Sequence, residues 1–151
     1  MKKLLILTIS IMIILALSSS VMAKAVQLEL PPYLGSGELG LGKVILNNPL
    51  GAINFIVQVN LENAKADFTY TVWIRAKDEG DTWMDFPVPP YGARGWYELG
   101  ELITDELGNG SFHINLKLEY TGVLSNIIIA LDRDWDRGIQ YYSVEGEIEI
   151  E

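Results

Sequence analysis

Residues 82–97 combine flat aromatic rings with charged groups in a segment rich in proline and glycine. The candidate binding side chains are Trp83, Tyr91, Arg94, Trp96 and Tyr97, with Asp85 and Glu98 close to them in the sequence. Aromatic rings stack on the C–H faces of sugars while carboxylates accept hydroxyl protons, and Trp, Tyr and Arg also dominate protein interfaces. The segment therefore predicts a binding surface for a protein or a carbohydrate. The alternative is that Trp83 and Trp96 fold back and cap one end of the domain.

A second group of side chains, Asp132, Asp134 and Asp136, places carboxylates at alternate positions of an acidic segment. Carboxylates spaced in this way can direct oxygens at one hard cation, as Ca²⁺ requires. The helix–loop–helix calcium motif also needs glycine at its sixth position and glutamate at its twelfth, and neither is present here. The pattern predicts a Ca²⁺ site, and no other cofactor is expected. The alternative is a solvated turn in which Arg133 and Arg137 neutralise the aspartates.

Residues 105–110, Asp-Glu-Leu-Gly-Asn-Gly, also offer oxygen atoms to a cation. Glycine and asparagine are, however, the residues that supply the positive φ angles of tight hairpins. We interpret this segment as a turn. Asn109 begins an Asn-Gly-Ser acceptor motif for N-glycosylation, whose use depends on the organism.

The sequence favours a protein without catalytic activity. Its single histidine, His113, is predicted on the outward face of a strand, whereas a Ser-His-acid triad needs a buried and oriented imidazole. No glycine-rich phosphate-binding turn joins a strand to a helix. Twenty acidic residues produce carboxylate pairs by number alone, so such pairs do not indicate a glycosidase.

Net charge limits the partners to be expected, and cysteine content limits the chemistry. Residues 24–151 keep nine of the 11 basic residues and all 20 acidic ones, which leaves a net charge of −11. Such a surface repels nucleic acid and anionic lipid, so neither is expected as a partner. The absence of cysteine excludes thiol chemistry, and the domain must be held by its core alone.

Residues 1–23 have the organisation of a secretory signal helix. Lys2 and Lys3 precede an apolar run over residues 4–17, and Val21 and Ala23 are small residues at the −3 and −1 positions of a cleavage site. We expect removal after Ala23, secretion or display at the cell surface, and no membrane insertion of the mature domain. The alternative is a retained signal anchor, because the apolar run approaches the shortest spanning length.

Period-two alternation of apolar and polar residues runs through most of residues 24–151. It is strongest over residues 53–61 and 68–76, two runs expected to pair or to face each other across a core. The run over residues 126–131 is continuously apolar after Asn126, which predicts a central strand buried on both faces. Trp73 departs from the polar outward pattern of its run, and we expect it to lie beneath the aromatic segment.

The turn signals separate seven or eight such runs, and no helical period follows residue 23. In the final run, the pattern predicts one face formed by Tyr142, Val144, Ile148 and Ile150, with glutamates opposite. These features predict one all-β domain over residues 24–151, an antiparallel two-sheet β-sandwich.

Two stretches of the chain resemble secreted prokaryotic immunoglobulin-like β-sandwich modules of uncharacterised function. Residues 61–73 read Leu-x-x-Ala-x-x-x-x-x-Tyr-x-Val-Trp, and residues 99–112 read Leu-Gly-x-Leu-x-Thr-Asp-x-x-Gly-Asn-Gly-x-Phe. The resemblance spans about half of the mature chain and implies an immunoglobulin-like arrangement of strands. It carries over no catalytic residue.

The sequence as a whole predicts an exported, non-catalytic β-sandwich that binds a protein or carbohydrate through residues 82–97. A structural or assembly module of the cell envelope is the alternative, in which exposed strand edges or the acidic terminal strand mediate self-association.

Overall fold

A computed structural model of the chain describes residues 24–49, 54–88, 95–132 and 138–150. The predicted signal segment, residues 1–23, lies outside these ranges. Within them the chain forms nine strands: β1 (Lys24–Leu30), β2 (Leu41–Asn48), β3 (Asn54–Glu62), β4 (Thr69–Lys77), β5 (Tyr97–Ile103), β6 (Gly110–Lys117), β7 (Gly122–Asp132), β8 (Ile139–Tyr142) and β9 (Gly146–Ile150). The same ranges hold no helix of the length and apolarity needed to cross a bilayer.

The strands form two antiparallel sheets, which confirms the predicted all-β sandwich. One sheet has four strands in the order β1-β2-β3-β6, and the other has five, with β5-β4-β7-β8 in order and β9 also paired to β7. The long strand β7 pairs with β4 along one edge, while β9 and β8 share its other edge. Residues 127–131 of β7 are all buried, so the predicted central strand is confirmed.

The two runs with the strongest alternation, β3 and β4, lie in different sheets and face each other across the core. Phe55 and Val57 on β3 and Tyr70 and Val72 on β4 have no solvent exposure. Burial of such side chains is the main source of free energy for a domain without disulfides. The outward positions of β3 carry polar side chains except at Ile56, as expected for a half-buried strand of a sandwich.

Residues 104–109, which join β5 to β6, form the turn predicted from their glycine and asparagine content. The Asp105 carboxylate accepts hydrogen bonds from the backbone N–H groups of Leu107, at 2.9 Å, and Asn109, at 2.8 Å. Gly108 adopts a φ of 77°, in the left-handed region that favours glycine. The Asp105 carboxylate thus satisfies two backbone N–H groups of its own turn.

This turn packs against residues 63–67, which carry the chain from β3 to β4. The Ala64 N–H donates to the Gly108 carbonyl at 2.9 Å, and the buried Thr104 hydroxyl donates to the Lys65 carbonyl at 2.6 Å. A Cβ atom on Gly108 would lie 2.0 Å from the Ala64 carbonyl oxygen. The close contact between these two connections therefore depends on the absence of a side chain at Gly108.

One side of the sandwich is closed by backbone hydrogen bonds between residues 29–33, at and after the end of β1, and residues 140–144. The Tyr33 N–H donates to Gln140 at 2.7 Å, and the Val144 N–H donates to Glu29 at 3.1 Å. Ser143 lies between β8 and β9 and bonds to Ile129 of β7 through both its N–H and its hydroxyl.

The face predicted for the final run of the sequence does not form as expected, because the chain is broken between β8 and β9. Tyr141 is fully buried and Tyr142 points outward, while Ile148 and Ile150 point into the core. Tyr142 therefore does not share a face with these isoleucines, and Val144 is 47% exposed. Residues 143–145 leave the regular ladder and shift the alternation by one position, which sequence periodicity does not reveal.

We expect Gly108→Ala to lower the free energy of unfolding by about 3 kcal/mol, because it adds a backbone clash to left-handed strain. Gly35→Ala is the matched control, since Gly35 also has a positive φ, of 86°, but a Cβ added there would have no neighbouring atom within 4 Å. This control should cost only about 1 kcal/mol. Denaturant unfolding of both variants measures the difference, and equal losses would show that the contact with Ala64 is unimportant.

Candidate functional site: an aromatic surface on the five-stranded sheet

The outer face of the five-stranded sheet carries a second apolar cluster, separate from the main core. Its buried members are Trp73, Trp96, Ile128 and Ala130, with Ile139 and Tyr142 packed against them. We call this set the outer aromatic cluster. An apolar sheet face of this kind is stable in water only when other side chains cover it.

The strand register explains why these residues meet. Trp73 on β4 lies opposite Ala130 on β7, and Ala130 lies opposite Tyr142 on β8, so the three form one row across the sheet. Arg75 lies opposite Ile128 in the next row on the same face. The small side chain of Ala130 leaves room between the two aromatic residues that flank it.

Trp96 reaches this face from the residue before β5. Gly95 precedes it with a φ of 69°, and the chain then enters the strand so that Trp96 points outward while Tyr97 points inward. The Trp96 ring meets Tyr142 edge to face, with ring centroids 6.4 Å apart. Trp96 therefore lies over the outer face and covers the apolar row formed by β4, β7 and β8.

Arg75 holds the aromatic rings in place. Its guanidinium carbon lies 4.7 Å from the ring centroid of Trp96 and 5.1 Å from that of Trp83. One terminal nitrogen also donates a hydrogen bond to the Tyr142 hydroxyl at 2.9 Å. Since cation–π contacts strengthen as the charge loses water, this half-buried arginine orients two indoles and one phenol together.

Trp83 is the most exposed indole of this surface, with 37% of its area accessible. It forms an isolated β-bridge with Lys77, whose ammonium lies 5.0 Å from the ring centroid. A Cβ atom on Gly95 would lie 2.9 Å from the Trp83 Cβ, so the glycine allows the indole to pack against the backbone. Trp83 is thus held at the margin of the cluster with one side open to solvent.

A cleft of about 320 Å³ opens in this surface beside Trp96. Its walls are formed by Trp73, Trp96, Ala130, Asp132, Gly138 and Ile139. Asp132, at the end of β7, contributes the only charged side chain among the described lining residues, and it is 2% exposed. The cleft therefore offers indole surfaces for stacking, with the almost fully buried Asp132 carboxylate in its wall.

The structure does not bring Tyr97 to this surface, although the sequence predicts it there. Tyr97 is buried in the main core, where its ring meets Phe86 edge to face at 5.4 Å. Its hydroxyl donates to the Asp85 carboxylate at 2.5 Å. Burial, followed by this hydrogen bond, raises the pKa of Tyr97 to about 12. The physical reason is alternation: neighbours on a strand point to opposite faces, so Trp96 and Tyr97 cannot share one.

Four predicted site residues, Tyr91, Arg94, Asp134 and Asp136, lie outside the described residues. Among the residues that are described, no group of three or more His, Cys, Asp and Glu side chains could hold a metal ion. Asp132 lines the aromatic cleft. Calcium binding by the acidic segment stays a prediction.

Several residues of the site had only partial signals in the sequence. The alternation of β4 placed Trp73 and Arg75 outward, and the structure packs both against Trp96. Nothing in the sequence placed Ala130 or Ile139 beside them, because that requires the pairing of β7 with β4 and β8.

Comparisons of the chain with models of known protein families, with curated protein sequences and with solved structures find no match. The chemistry of the site therefore follows from its own residues. Indole faces next to a single carboxylate can hold a ring with C–H groups on its face and hydroxyls at its edge. The same surfaces can hold an apolar or aromatic side chain of a protein.

We expect Arg75→Met to lower the free energy of unfolding by about 2 kcal/mol, because it removes two cation–π contacts from a half-buried site. Lys77→Met is the control, since within the described residues the Lys77 ammonium makes one cation–π contact, with Trp83, and pairs with the exposed Asp81. It should cost less than about 1 kcal/mol. Denaturation followed by tryptophan fluorescence compares the two, and equal effects would contradict the role given to Arg75.

The raised pKa of Tyr97 predicts a loss of stability in alkali. A phenol whose folded pKa exceeds its unfolded value of about 10 contributes stability that is complete below pH 10 and declines as the pH rises towards 12. Unfolding of the wild type between pH 9 and 12 should show this decline. Tyr97→Phe should show a smaller decline and lack one late-ionising phenol in an ultraviolet titration. Identical pH profiles would exclude this contribution.

Proposed function

We propose that this protein is an exported, non-catalytic binding module that holds a protein or carbohydrate on the outer aromatic cluster. The observation that carries the proposal is the cleft between Trp73, Trp96 and the carboxylate of Asp132. Its volume of about 320 Å³ lies at the lower end of the range for ligand sites, which suits one sugar ring or one large side chain.

The cluster also covers the sheet, so binding must be distinguished from capping. Trp73 and Trp96 are less than a tenth exposed, as a cover requires. A cover alone accounts for neither the open cleft beside them nor the outward position of Trp83. These two features support a surface that receives a ligand in addition to sealing the sheet.

The connectivity of the strands supports an immunoglobulin-like type of sandwich. In that fold the second and fifth strands pair in one sheet while the third and sixth pair in the other. Here β3 pairs with β6 in one sheet, and β4 pairs with β7 in the other. As in the immunoglobulin fold, two consecutive strands lie in different sheets, and each pairs with the strand three positions later in the chain. The hairpin of β4 and β5 widens the sheet that carries the aromatic cluster.

Export and the lack of catalysis rest on separate observations. The basic start, the apolar run and the small residues before residue 24 support a secretory signal. His113 is exposed on the outer face of the four-stranded sheet, opposite Gln58 of β3. A solvated imidazole of this kind supports a binding role over nucleophilic catalysis.

A structural or assembly module of the cell envelope is the second candidate. It is favoured by exposed leucines between β1 and β2 and at the first residue of β2: Leu34 is 95%, Leu39 91% and Leu41 68% exposed. The terminal strand is a weaker candidate for assembly, because the Glu149 carbonyl accepts a hydrogen bond from Asn48 of β2. Size-exclusion chromatography with light scattering separates the two candidates, since a stable monomer would remove the assembly role.

Screening on an array of neutral and acidic oligosaccharides, with a peptide array beside it, should identify a ligand. We expect Trp83→Ala and Asp132→Asn each to weaken its binding about tenfold or more, because Trp83 offers an exposed indole beside the cluster, Asp132 lines the cleft, and aromatic and polar anchors dominate recognition. Leu107→Ala is the control, since Leu107 is 75% exposed on the β5–β6 turn. Loss of folding in Trp83→Ala, together with no ligand on either array, would leave capping as the only role of the cluster.

A further inference from the structure

The two sides of the sandwich, where the edges of its sheets meet, differ in how they are closed. On one side, backbone hydrogen bonds join residues 29–33, at and after the end of β1, to residues 140–144. On the other side, the edge strands are β6 of the four-stranded sheet and β5 of the five-stranded sheet. The unpaired backbone groups of an edge strand can pair with a further strand. The side formed by β5 and β6 is therefore the place where another chain could add to the sandwich.

Strand β5 is poorly suited to such pairing. It carries two exposed glutamates, Glu98 and Glu101, whose charges oppose the approach of an acidic protein. Gly100 between them has a φ of 140°, and the register of β5 with β4 shifts between Val72 and Trp73. Charges and irregular backbone geometry are the features by which edge strands avoid pairing with other chains.

Strand β6 lacks these protective features. It pairs with β3 in one unbroken register over its whole length, from Gly110 to Lys117. It contains no proline and no acidic residue, and its one lysine, Lys117, is its last residue. Among the edge strands of the described residues, β6 thus combines a regular backbone with the absence of negative charge.

The backbone of β6 directs hydrogen-bonding groups towards the open side. The Asp105 N–H donates to the Asn109 carbonyl at 2.8 Å, so this carbonyl faces β5 and points away from β3. Successive residues of a strand direct their backbone groups to alternate sides, so His113 and Asn115 also direct theirs away from β3. Within the described part of the chain, β3 is the only strand that pairs with these two residues.

Two apolar side chains of β6 are incompletely covered at this side. Phe112 and Ile114 point towards the core but are only half-buried, whereas Leu116 further along the strand is buried. The Phe112 ring lies against β5, since a Cβ atom on Gly100 would be 3.1 Å from it. A strand added beside β6 would cover the remaining apolar surface of both residues, which favours association.

The charge distribution indicates which strand would fit. Residues 24–151 carry a net charge of −11, yet β6 and the outward positions of β3 from Asn54 to Asn60 contain no acidic residue. A basic partner would find no carboxylate there, and an acidic partner would be repelled by the rest of the surface. An uncharged strand with an apolar face meets neither difficulty, and β6 itself has this character.

We propose that two copies of this chain pair through β6, antiparallel and about a two-fold axis, so that their four-stranded sheets continue into one sheet. Such pairing closes at a dimer, because each copy offers one edge of this kind. Contact along a single strand buries less than the roughly 1,600 Å² of a standard interface, so the dimer dissociates on dilution. The inference deepens the second candidate function, assembly, and is independent of the outer aromatic cluster.

Sedimentation velocity tests the dimer with the purified protein at concentrations up to about 1 mM. We expect the mass to rise from that of a monomer to that of a dimer and no further. Added sodium chloride should strengthen the dimer, because it screens the repulsion between two acidic chains.

His113→Glu should weaken the dimer about tenfold or more, because it brings two negative charges close together across the new strand pair. Gln27→Glu is the matched control. Gln27 is exposed on the same outer face and lies in the same row of the sheet as His113, but on β1 at the opposite edge. It adds the same charge, so it should leave the dissociation constant almost unchanged.

Cross-linking tests the position of the contact even if His113→Glu disturbs folding. The chain contains no cysteine, so His113→Cys and Gln27→Cys each introduce a single thiol for a short bismaleimide cross-linker. We expect a covalent dimer from His113→Cys and none from Gln27→Cys. Equal cross-linking of the two variants, or equal weakening by the two glutamates, would overturn the proposal and leave assembly through another surface. A monomer at about 1 mM would remove both.

Discussion

The burial of β4 and β7 on both faces is the constraint on which the rest of the structure depends. Their inner faces form the core, and their outer faces present Trp73, Ile128 and Ala130, which are as buried as core residues. A sheet exposed on one side would leave this apolar row in water at a cost of about 25 cal/mol per Å². The sandwich therefore needs a third layer, and the segment that enters β5 supplies it through Trp96.

Arg75 links this layer to the sheet beneath it. A guanidinium tolerates partial burial among rings because its charge is delocalised and weakly hydrated, and it keeps one donor for the Tyr142 hydroxyl. The cover is thus held by directional contacts that leave a space beside Trp96, where a purely aliphatic cover would close it. This arrangement connects the stability of the domain to the geometry of the cleft that contains Asp132.

Adjacent residues of β8 have opposite surroundings. Tyr142 faces outward to the indoles and to Arg75, whereas Tyr141 faces inward and donates to Glu38. Because neighbouring side chains of a strand point to opposite faces, one short strand contributes to the outer aromatic cluster and to the main core. The segment after β1 is joined to β8 by backbone hydrogen bonds such as that from Tyr33 to Gln140.

The sequence by itself determined the class of structure, because alternation and turn residues are local: it predicted the antiparallel sandwich, the buried strand at residues 126–131 and the turn at 105–110. It also placed Trp73 beneath the aromatic segment, which contains Trp96. Tertiary structure alone decided which strands pair, and hence that Ala130 and Tyr142 join them. One local shift was also invisible to periodicity, the break at residues 143–145 that moved Tyr142 outward, whereas the inward direction of Tyr97 follows from alternation once Trp96 points outward. Contacts between distant residues depend on register, and a change of one residue reverses a face without altering composition.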